Sequence, residues 1–376
     1  MLSQELRAQG WGYGPSGVTR TGATLLAPDE PPPVNGAPVV SSKDAGCAVG
    51  CECSCDSPGS CHGSCGCACE KCCALIVGFQ HCWHVYGEFL FLRPRDSELA
   101  WVTPANSNFP VPPNPAPVQI GPQGVLDMDF DVGFRGGIQH NMTECTGVSV
   151  QYTMFESTTN DAVAVAGANV IESLVSHPAI DTTARNFRQG VANYNINYDM
   201  IDLDYHELLW YGADYQFGYL LGANFVQMEE VMGATFAGNG TETVRTDIDF
   251  YGAGLRFGLE GEAGRGGQVR AYAKAIGNLV GGEFRADYDL GHSYDAVVID
   301  TGWRAGRVVG IWNLELGAKW ISCCGNYSAN VGYMFSAWTN TVQTDEWVRG
   351  VQTSNFIDMD STMTFDGAVA RLEARF

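Results

Sequence analysis

Cysteine has the most regular chemical pattern in this 376-residue sequence. Of 14 cysteines, 11 lie between Cys47 and Cys82, where the spacing C-x3-C-x-C-x-C occurs twice, 14 residues apart. These residues are Cys47, Cys51, Cys53, Cys55, Cys61, Cys65, Cys67, Cys69, Cys72, Cys73 and Cys82. Thiolates at this density can hold Zn²⁺ or Cu⁺, whereas in an oxidising compartment they form disulfides. Because Ser, Gly, Ala and Asp fill the gaps, the segment has no apolar core. It is therefore expected to be disulfide-bonded, metal-bound or disordered.

A second set of reactive side chains is scattered along the chain. His206, Glu207, His292 and Ser293 have the residue types of a nucleophile and its base, and clustered aspartates could bind Ca²⁺. No motif places them at the spacing that a catalytic constellation requires. We therefore predict that the protein is not an enzyme and uses no cofactor.

The composition limits the elements that can carry these side chains. Acidic residues number 42 against 21 Lys and Arg, a net charge of −21, which excludes a nucleic-acid binder with a basic face. Hydrophobic residues make up 45% of the chain, enough to form a core. No run of 18 apolar residues occurs, so a helical membrane protein does not fit either.

From Trp83 onward, apolar and polar residues alternate with a period of two. In Leu126–Ile138 the apolar residues occupy even positions and Asp, Gly and Arg the odd ones, which predicts a strand. Comparable runs predict ten strands, beginning near Val85, Asp127, Thr146, Ala192, Tyr215, Thr243, Gln268, Ala296, Tyr327 and Thr362. Twelve strands result if 283–288 and 293–300 form a separate hairpin.

Three local features interrupt this regular pattern. The apolar positions change from even to odd numbers within 194–205 and again within 248–257, which predicts a β-bulge in each run. The apolar stretch Ala162–Val175 is a candidate for a short helix that either folds into the barrel or rests on the loop surface.

The connections decide between a sandwich and a barrel. Short turns near 140–145, 211–214, 261–267 and 321–326 alternate with long loops near 96–124, 157–192, 229–242 and 340–361. Transmembrane barrels have short periplasmic turns and longer external loops, whereas sandwich strands are short. We therefore predict an all-β fold, a single antiparallel up-and-down transmembrane β-barrel over 83–376. A disordered linker (1–46) and the Cys-rich segment (47–82) precede it. No signal peptide is evident, so for an exported protein either the true start lies upstream or the leader is missing.

Both ends of this segment carry a resemblance to a known family. It opens on Gly87–Arg95 (GEFLFLRPR) and closes on Gly367–Phe376 (GAVARLEARF), an amphipathic strand with a terminal aromatic residue. Over about 83–376 the chain resembles the Legionella-type major outer membrane protein family, including its planctomycete-like variants. The resemblance implies a pore-forming barrel in the bacterial outer membrane. Phe376 is similar to the assembly signal of such barrels, so the lipid bilayer and the barrel assembly machinery are expected partners.

Charged residues on the polar face of the predicted strands are expected to line the pore. They are Asp127, Asp129, Asp131, Arg135, Asp202, Asp204, Asp247, Asp249, Arg256, Arg270, Lys274, Arg307, Glu315, Lys319, Arg371 and Glu373. The excess of acid favours cations. Alternatively, the excess acid lies on external loops and only keeps them soluble.

Two functions follow from these observations. The first is an outer-membrane pore for ions and small polar solutes that prefers cations. The second is a closed structural barrel anchored through its cysteines. Because Cys145, Cys323 and Cys324 fall in predicted short turns, all 14 thiols would face the periplasm. They would be linked by disulfides or metal, or bonded to an envelope partner protein.

Overall fold

The computed structural model describes residues 81–106, 118–143, 145–179, 187–212, 214–265, 268–293, 295–322, 325–357 and 359–376. The strands are β1 (Trp83–Arg95), β2 (Leu99–Ala105), β3 (Gly124–Leu126), β4 (Asp131–Asn141), β5 (Thr146–Ala164), β6 (Val170–Ser173), β7 (Gln189–Tyr211), β8 (Tyr215–Ala237), β9 (Thr241–Ala263), β10 (Val269–His292), β11 (Asp295–Ile321), β12 (Tyr327–Thr341) and β13 (Ser361–Arg375). One helix, α1 (Thr344–Thr353), lies between β12 and β13 in this part of the chain.

Ten strands close into an antiparallel barrel, which confirms the predicted fold and strand number. The order is β1-β13-β12-β11-β10-β9-β8-β7-β5-β4, and β1 closes the barrel by pairing with both β13 and β4. The alternative of twelve strands is wrong, because 283–288 is a continuous part of β10 and 295–300 is a continuous part of β11, and these two long strands pair directly with each other. The short strands form a separate sheet in the order β3-β2-β6. No helix in the described residues has the length and apolarity needed to cross a bilayer.

The two ends of the barrel differ in their connections. Short connections over 142–145, 212–214, 264–268 and 322–326 lie at the end where β1 begins and β13 finishes. Because transmembrane barrels of bacteria have their short turns on the periplasmic side, we call this end the periplasmic end. At the opposite, outer end, the connections carry β2, β3, β6 and α1.

A band of apolar side chains surrounds the part of the barrel nearer the periplasm, and we call it the membrane belt. It comprises Val85, Phe89, Phe91, Val132, Phe134, Ile138, Val150, Tyr152, Met154, Ile201, Leu203, Leu221, Phe225, Leu255, Phe257, Leu259, Leu279, Trp312, Leu314, Leu316, Val331, Tyr333, Phe335 and Leu372, all exposed. We call the part of the barrel that the membrane belt surrounds the lower half. The part between the belt and the outer end is the upper half.

The long strands extend far beyond a bilayer. β7, β8 and β9 have 23 residues each, on the order of 75 Å at the usual rise per residue. The apolar band of an outer-membrane barrel is only about 25 Å tall. The long loop predicted over 229–242 is therefore wrong, because β8 continues to Ala237 and β9 begins at Thr241.

The predicted bulges are also wrong. Pairing between β7 and β8 runs without a shift from Gln189 to Leu208. What changes is the direction of the apolar face: Ile201 and Leu203 point outward, whereas Ile196 is buried inside. The same inversion occurs between Leu255 and Ile248 on β9. Alternation continues unbroken, but hydrocarbon surrounds the lower half and water the upper half.

The predicted helix over Ala162–Val175 is not present. β5 continues to Ala164, and Val170–Ser173 forms β6. The helix that does form, α1, buries Trp347, Val348 and Val351, which lie on one face at helical spacing. It was missed because ten residues with few apolar positions give a weak signal inside a predicted loop.

Candidate functional site: the barrel interior

Buried ion pairs occupy the centre of the lower half. Glu88 on β1 is 1% exposed and accepts hydrogen bonds from Arg371 at 2.7 Å and Arg135 at 2.9 Å. Glu315 on β11 continues the cluster, 3.7 Å from Arg135 and 3.8 Å from Lys274. Five strands thus meet at one charge network. It joins residues that are 283 positions apart in sequence, such as Glu88 and Arg371.

A second cluster lies on the opposite wall. Arg256 of β9 is 3.1 Å from Asp204 and 3.3 Å from Asp202, both on β7. Gln151 of β5 donates to Asp202 at 2.9 Å, and Arg256 also donates to Asn278 of β10 at 3.2 Å. The acidic pair predicted at 202 and 204 is therefore held by one guanidinium.

His206 belongs to a hydrogen-bond chain that the sequence did not reveal. Its Nε2 lies 2.8 Å from Ser149 Oγ and its Nδ1 lies 2.7 Å from Glu260. Ser149, His206 and Glu260 are thus arranged in the order of a nucleophile, a base and the acid that orients the base. Ser149 is 6% exposed, and of this chain of residues His206 and Glu260, not Ser149, line the larger of the two interior cavities described below.

The other residues of that predicted set lie apart from this chain. Glu207 points outward on β7, where Tyr205 and Tyr219 donate to it. His292 ends β10 at the outer end, next to Ser293. His206 and Glu207 therefore face opposite sides of the same wall, and His292 and Ser293 lie at the other end of the barrel.

The periplasmic end of the interior is polar and contains a cavity. Glu373 lies 3.1 Å from His84 and 2.7 Å from Arg375, and Lys319 pairs with Glu262. A cavity of about 110 Å³ lies among these groups, and a second of about 40 Å³ lies deeper, beside the central cluster. Each could hold water or a small polar solute.

The charges of this lower interior balance. Its acidic side chains are Glu88, Asp202, Asp204, Glu260, Glu262, Glu315 and Glu373, and its basic ones are Arg135, Arg256, Arg270, Lys274, Lys319, Arg371 and Arg375. Seven of each occur among the described residues. The acidic excess of the chain therefore does not lie in this lumen.

The upper half of the interior is an apolar core. Its large buried side chains include Trp101, Phe155, Tyr194, Tyr198, Phe236, Phe250, Phe284, Tyr288, Trp338, Trp347 and Phe365. Phe155, Tyr198, Trp338 and Phe365 pack with ring centroids 5.2 to 5.8 Å apart. We call α1 together with the β3-β2-β6 sheet the outer plug, because both contribute to this core.

Helix α1 contacts several walls of the barrel from inside. Trp347 donates its indole N–H to the carbonyl of Asp287 on β10 at 3.2 Å, and its ring packs 6.3 Å from that of Trp303 on β11. Gln352 donates to the carbonyl groups of Leu174 at 2.7 Å and Ser176 at 3.0 Å. The helix thereby closes the lumen above the ion pairs.

One carboxylate lies at the N-terminal end of α1, above the membrane belt. Glu230 of β8 is 0% exposed and accepts hydrogen bonds from the backbone and hydroxyl of Thr344 at 3.2 and 3.1 Å, and from Tyr194 at 2.8 Å. Burial raises the pKa of Glu230 to about 7, although these hydrogen bonds favour its ionised form. Sequence alternation placed it among loop residues, so it was missed.

The structure places most of the predicted pore-lining residues inside the barrel. Those that face the interior are Asp131, Arg135, Asp202, Asp204, Arg256, Arg270, Lys274, Arg307, Glu315, Lys319, Arg371 and Glu373. Arg307 lies in the upper half, where it donates to the Met359 carbonyl. The interior position of these residues does not by itself make them pore-lining, because the upper half is filled.

Four predicted positions are wrong. Asp127 and Asp129 are exposed and precede β4, which begins only at Asp131. Asp247 and Asp249 lie on the outer face of β9, because the apolar face there points inward. Together with Glu229 they form an acidic cluster whose oxygens lie within 4.8 Å of one another.

Among the described residues, the cysteines and the C-terminus lie at the periplasmic end of the barrel. Cys82 precedes β1, and Cys145, a free thiol, precedes β5. Phe376 is exposed and its backbone pairs with Trp83. Cys47–Cys73, Cys323 and Cys324, with the linker over 1–46, lie outside the described residues, so the disulfide and metal alternatives stay predictions.

Comparison with known proteins finds one matching protein family and several solved barrel structures that are similar to this chain. The family model described as Legionella pneumophila major outer membrane protein precursor matches residues 78–371. No curated protein matches the chain. The outer membrane protease OmpT of Escherichia coli is similar at 11% identity and a TM-score of 0.45, covering 81% of this chain and 99% of OmpT.

Two further barrels are more distant. The toluene transporter TodX of Pseudomonas putida has 9% identity and a TM-score of 0.28, covering 79% of this chain and 90% of TodX. A Pseudomonas aeruginosa FadL homologue has 8% identity and a TM-score of 0.23, with coverage of 79% and 90%. At these scores the neighbours support no argument about activity.

Proposed function

Because the chain belongs to the Legionella major outer membrane protein family, we propose that it is an outer-membrane pore whose path is closed by its outer plug. Ions and small polar solutes pass when α1 leaves its position and the ion pairs at the centre of the polar lower half rearrange. The proposal assigns no catalysis to the barrel, and the chain from Ser149 to Glu260 serves as part of its wall.

The observation that carries this proposal is the contrast between the two halves of the lumen. The lower half is lined by charged and amide groups around cavities, whereas a purely structural barrel could be filled with apolar side chains at no loss of stability. The closing part comes from connections between strands, above all α1, so it can move without breaking the barrel.

Cation preference in this proposal comes from outside the lumen. The lower interior is balanced in charge, whereas Asp247, Asp249 and Glu229 lie on the outer surface above the belt. Such exposed acids raise the local concentration of cations near the entrance, and salt screens the effect within about 8 to 10 Å.

A closed structural barrel is the second candidate, and the continuous apolar core of the upper half favours it. Core packing of this kind contributes stability rather than a path. In that case the position of Cys82 and Cys145 at the periplasmic end becomes the relevant feature, since it suits attachment to another envelope component.

Planar-bilayer conductance of the full chain tests the two candidates. We expect rare openings for the wild type and frequent steps for Trp347→Ala, since loss of a buried tryptophan loosens α1. Trp320→Ala, on the outer face, is the matched control and should conduct as the wild type does. If folded Trp347→Ala barrels stay silent, the pore is refuted and the structural barrel stands.

A further inference from the structure

We propose that the outer face of the barrel carries a binding site for one phospholipid with an ammonium-bearing, zwitterionic headgroup. Its headgroup lies at Glu207, and one acyl chain lies in an apolar groove lined by Leu259, Phe257 and Trp312 among others. Both parts of the site are on the outer surface of adjoining strands, so the proposal is independent of whether the lumen conducts.

The groove is an apolar depression in the membrane belt. Its volume is about 630 Å³. Phe257 of β9 and Trp312 of β11 both line it, and their rings meet edge to face, with centroids 6.1 Å apart and planes at 74°. Gly277 of β10 lies between the two rings, and a Cβ there would be 2.8 Å from each of them. A larger side chain at position 277 would therefore displace both rings and change the shape of the groove.

The position of the groove determines its occupant. Its outward lining, which includes Leu221, Leu259 and Phe335, belongs to the membrane belt, so hydrocarbon and not water lies against it. If the groove were empty, the atoms along its walls would lack dispersion contacts on one side. A flexible acyl chain can fill such an irregular space, and the bilayer supplies it at high concentration.

Glu207 gives the groove a polar end. It points outward on β7, near the aromatic residues Trp210 and Tyr211 that close the periplasmic edge of the belt. Tyr219 and Tyr205 donate to its Oε2 at 2.5 and 3.2 Å. Two hydroxyl donors from the same outer face keep the carboxylate at the lipid side of the wall.

A carboxylate at this position selects the charge of its ligand. Ionised groups on the lipid face are costly unless they meet an opposite charge. The ammonium of a zwitterionic phospholipid supplies that charge, and the flanking tyrosine rings attract it further. An anionic headgroup would be repelled. Tyr219 connects the two parts, because it bonds to Glu207 and also lines the groove.

Native mass spectrometry of the full chain in detergent tests this site with phosphatidylethanolamine and phosphatidylglycerol of identical acyl chains. We expect the wild type to retain one phosphatidylethanolamine with about fivefold preference, the upper range for an exposed ion pair. Glu207→Gln should bind both lipids equally. Gly277→Val should lose most of the retained lipid of either kind.

Two controls separate the site from general effects of substitution. Gly281→Val lies on the same face of β10, where the nearest atom to a new Cβ is 4.0 Å away, and Glu156→Gln changes an outward carboxylate on β5. Both should behave as the wild type. Equal binding of the two lipids by the wild type overturns the proposal, as does unchanged retention by Gly277→Val. A lipid-free dimer that only Gly277→Val abolishes would assign the groove to a second copy of this chain instead.

Discussion

The lower and upper halves of this barrel are built from the same strands but in opposite ways. In the lower half, apolar side chains face outward and ion pairs such as Glu88 with Arg371 lie inside. In the upper half, Asp247 and Asp249 face outward while Ile248 and Phe250 are buried. A period of two is common to both halves, and the surrounding solvent decides which of its two faces is apolar.

The halves also differ in how their interiors are stabilised. The lower interior depends on opposite charges that are removed from water, so each charge needs its partner. The upper interior depends mainly on apolar burial, as in a soluble protein, and contains two strongly buried carboxylates, Glu230 and Glu242. Substitutions should therefore have different consequences at equivalent depths in the two halves.

Removing Glu88 should give the largest effect. Glu88→Ala leaves Arg135 and Arg371 buried without their shared carboxylate, which should lower the free energy of unfolding by about 3–5 kcal/mol. Denaturant unfolding of the barrel in detergent measures it. Glu283→Ala breaks an exposed ion pair with Arg285 and should cost less than about 1 kcal/mol. Similar losses for both variants would contradict the distinction between interior and exterior charges.

The next effect depends on pH and belongs to the upper half. Because the pKa of Glu230 is about 7 in the folded protein and lower in the unfolded chain, folding favours its protonated form. The stabilisation is full below the unfolded pKa and is lost as pH rises to about 7, a change on the order of 3 kcal/mol.

Glu230→Gln removes this titration. Its unfolding free energy should differ less between pH 4.5 and pH 8 than that of the wild type, as measured by denaturant titration at each pH. Glu229→Gln, on the outer face of the same strand, should keep the wild-type difference. If the Glu230→Gln barrel retains the full pH dependence, the buried carboxylate is not its source.

A smaller effect compares one apolar residue in each half. Ile248→Val removes a methyl group from the upper core and should cost about 1 kcal/mol of unfolding free energy. Ile201→Val makes the same change on the membrane belt, where lipid replaces the lost contacts, and should be nearly neutral. Equal costs in a denaturant titration would mean that the belt residue also packs against protein.

The smallest effect concerns the exposed acids. Asp249→Asn should lower the cation preference of the Trp347→Ala pore slightly at low salt and leave it unchanged at high salt, because an outer-surface charge acts through solvent. The reversal potential under a salt gradient measures it at both ionic strengths. A loss that persists at high salt would place Asp249 in the conduction path.

Most strands of the lower half could be predicted from the sequence, because the alternation of apolar and polar residues applies throughout that half. Alternation over 132–138 and over 201–205 marks strands whose apolar face meets lipid, and ten strands and most interior charges follow from such runs. The same alternation over 126–130 was misleading, because Leu126 and Met128 are buried in the core and β4 begins only at Asp131. In the upper half the same rule assigned the wrong face to Asp247 and Asp249 and suggested a loop over 229–242. Local periodicity carries no information about which solvent surrounds each part of a strand.

The sequence by itself determined the strand positions, the barrel class and the polar character of the lower lumen, since side-chain alternation in a β-strand is a local property. Only the tertiary structure decided that Glu88 lies between Arg135 and Arg371, and that α1 fills the outer end against Glu230. These contacts join residues from distant strands, and closure of the barrel brings them together. The face that each strand buries also depends on closure, because only a closed barrel separates an interior from lipid and water.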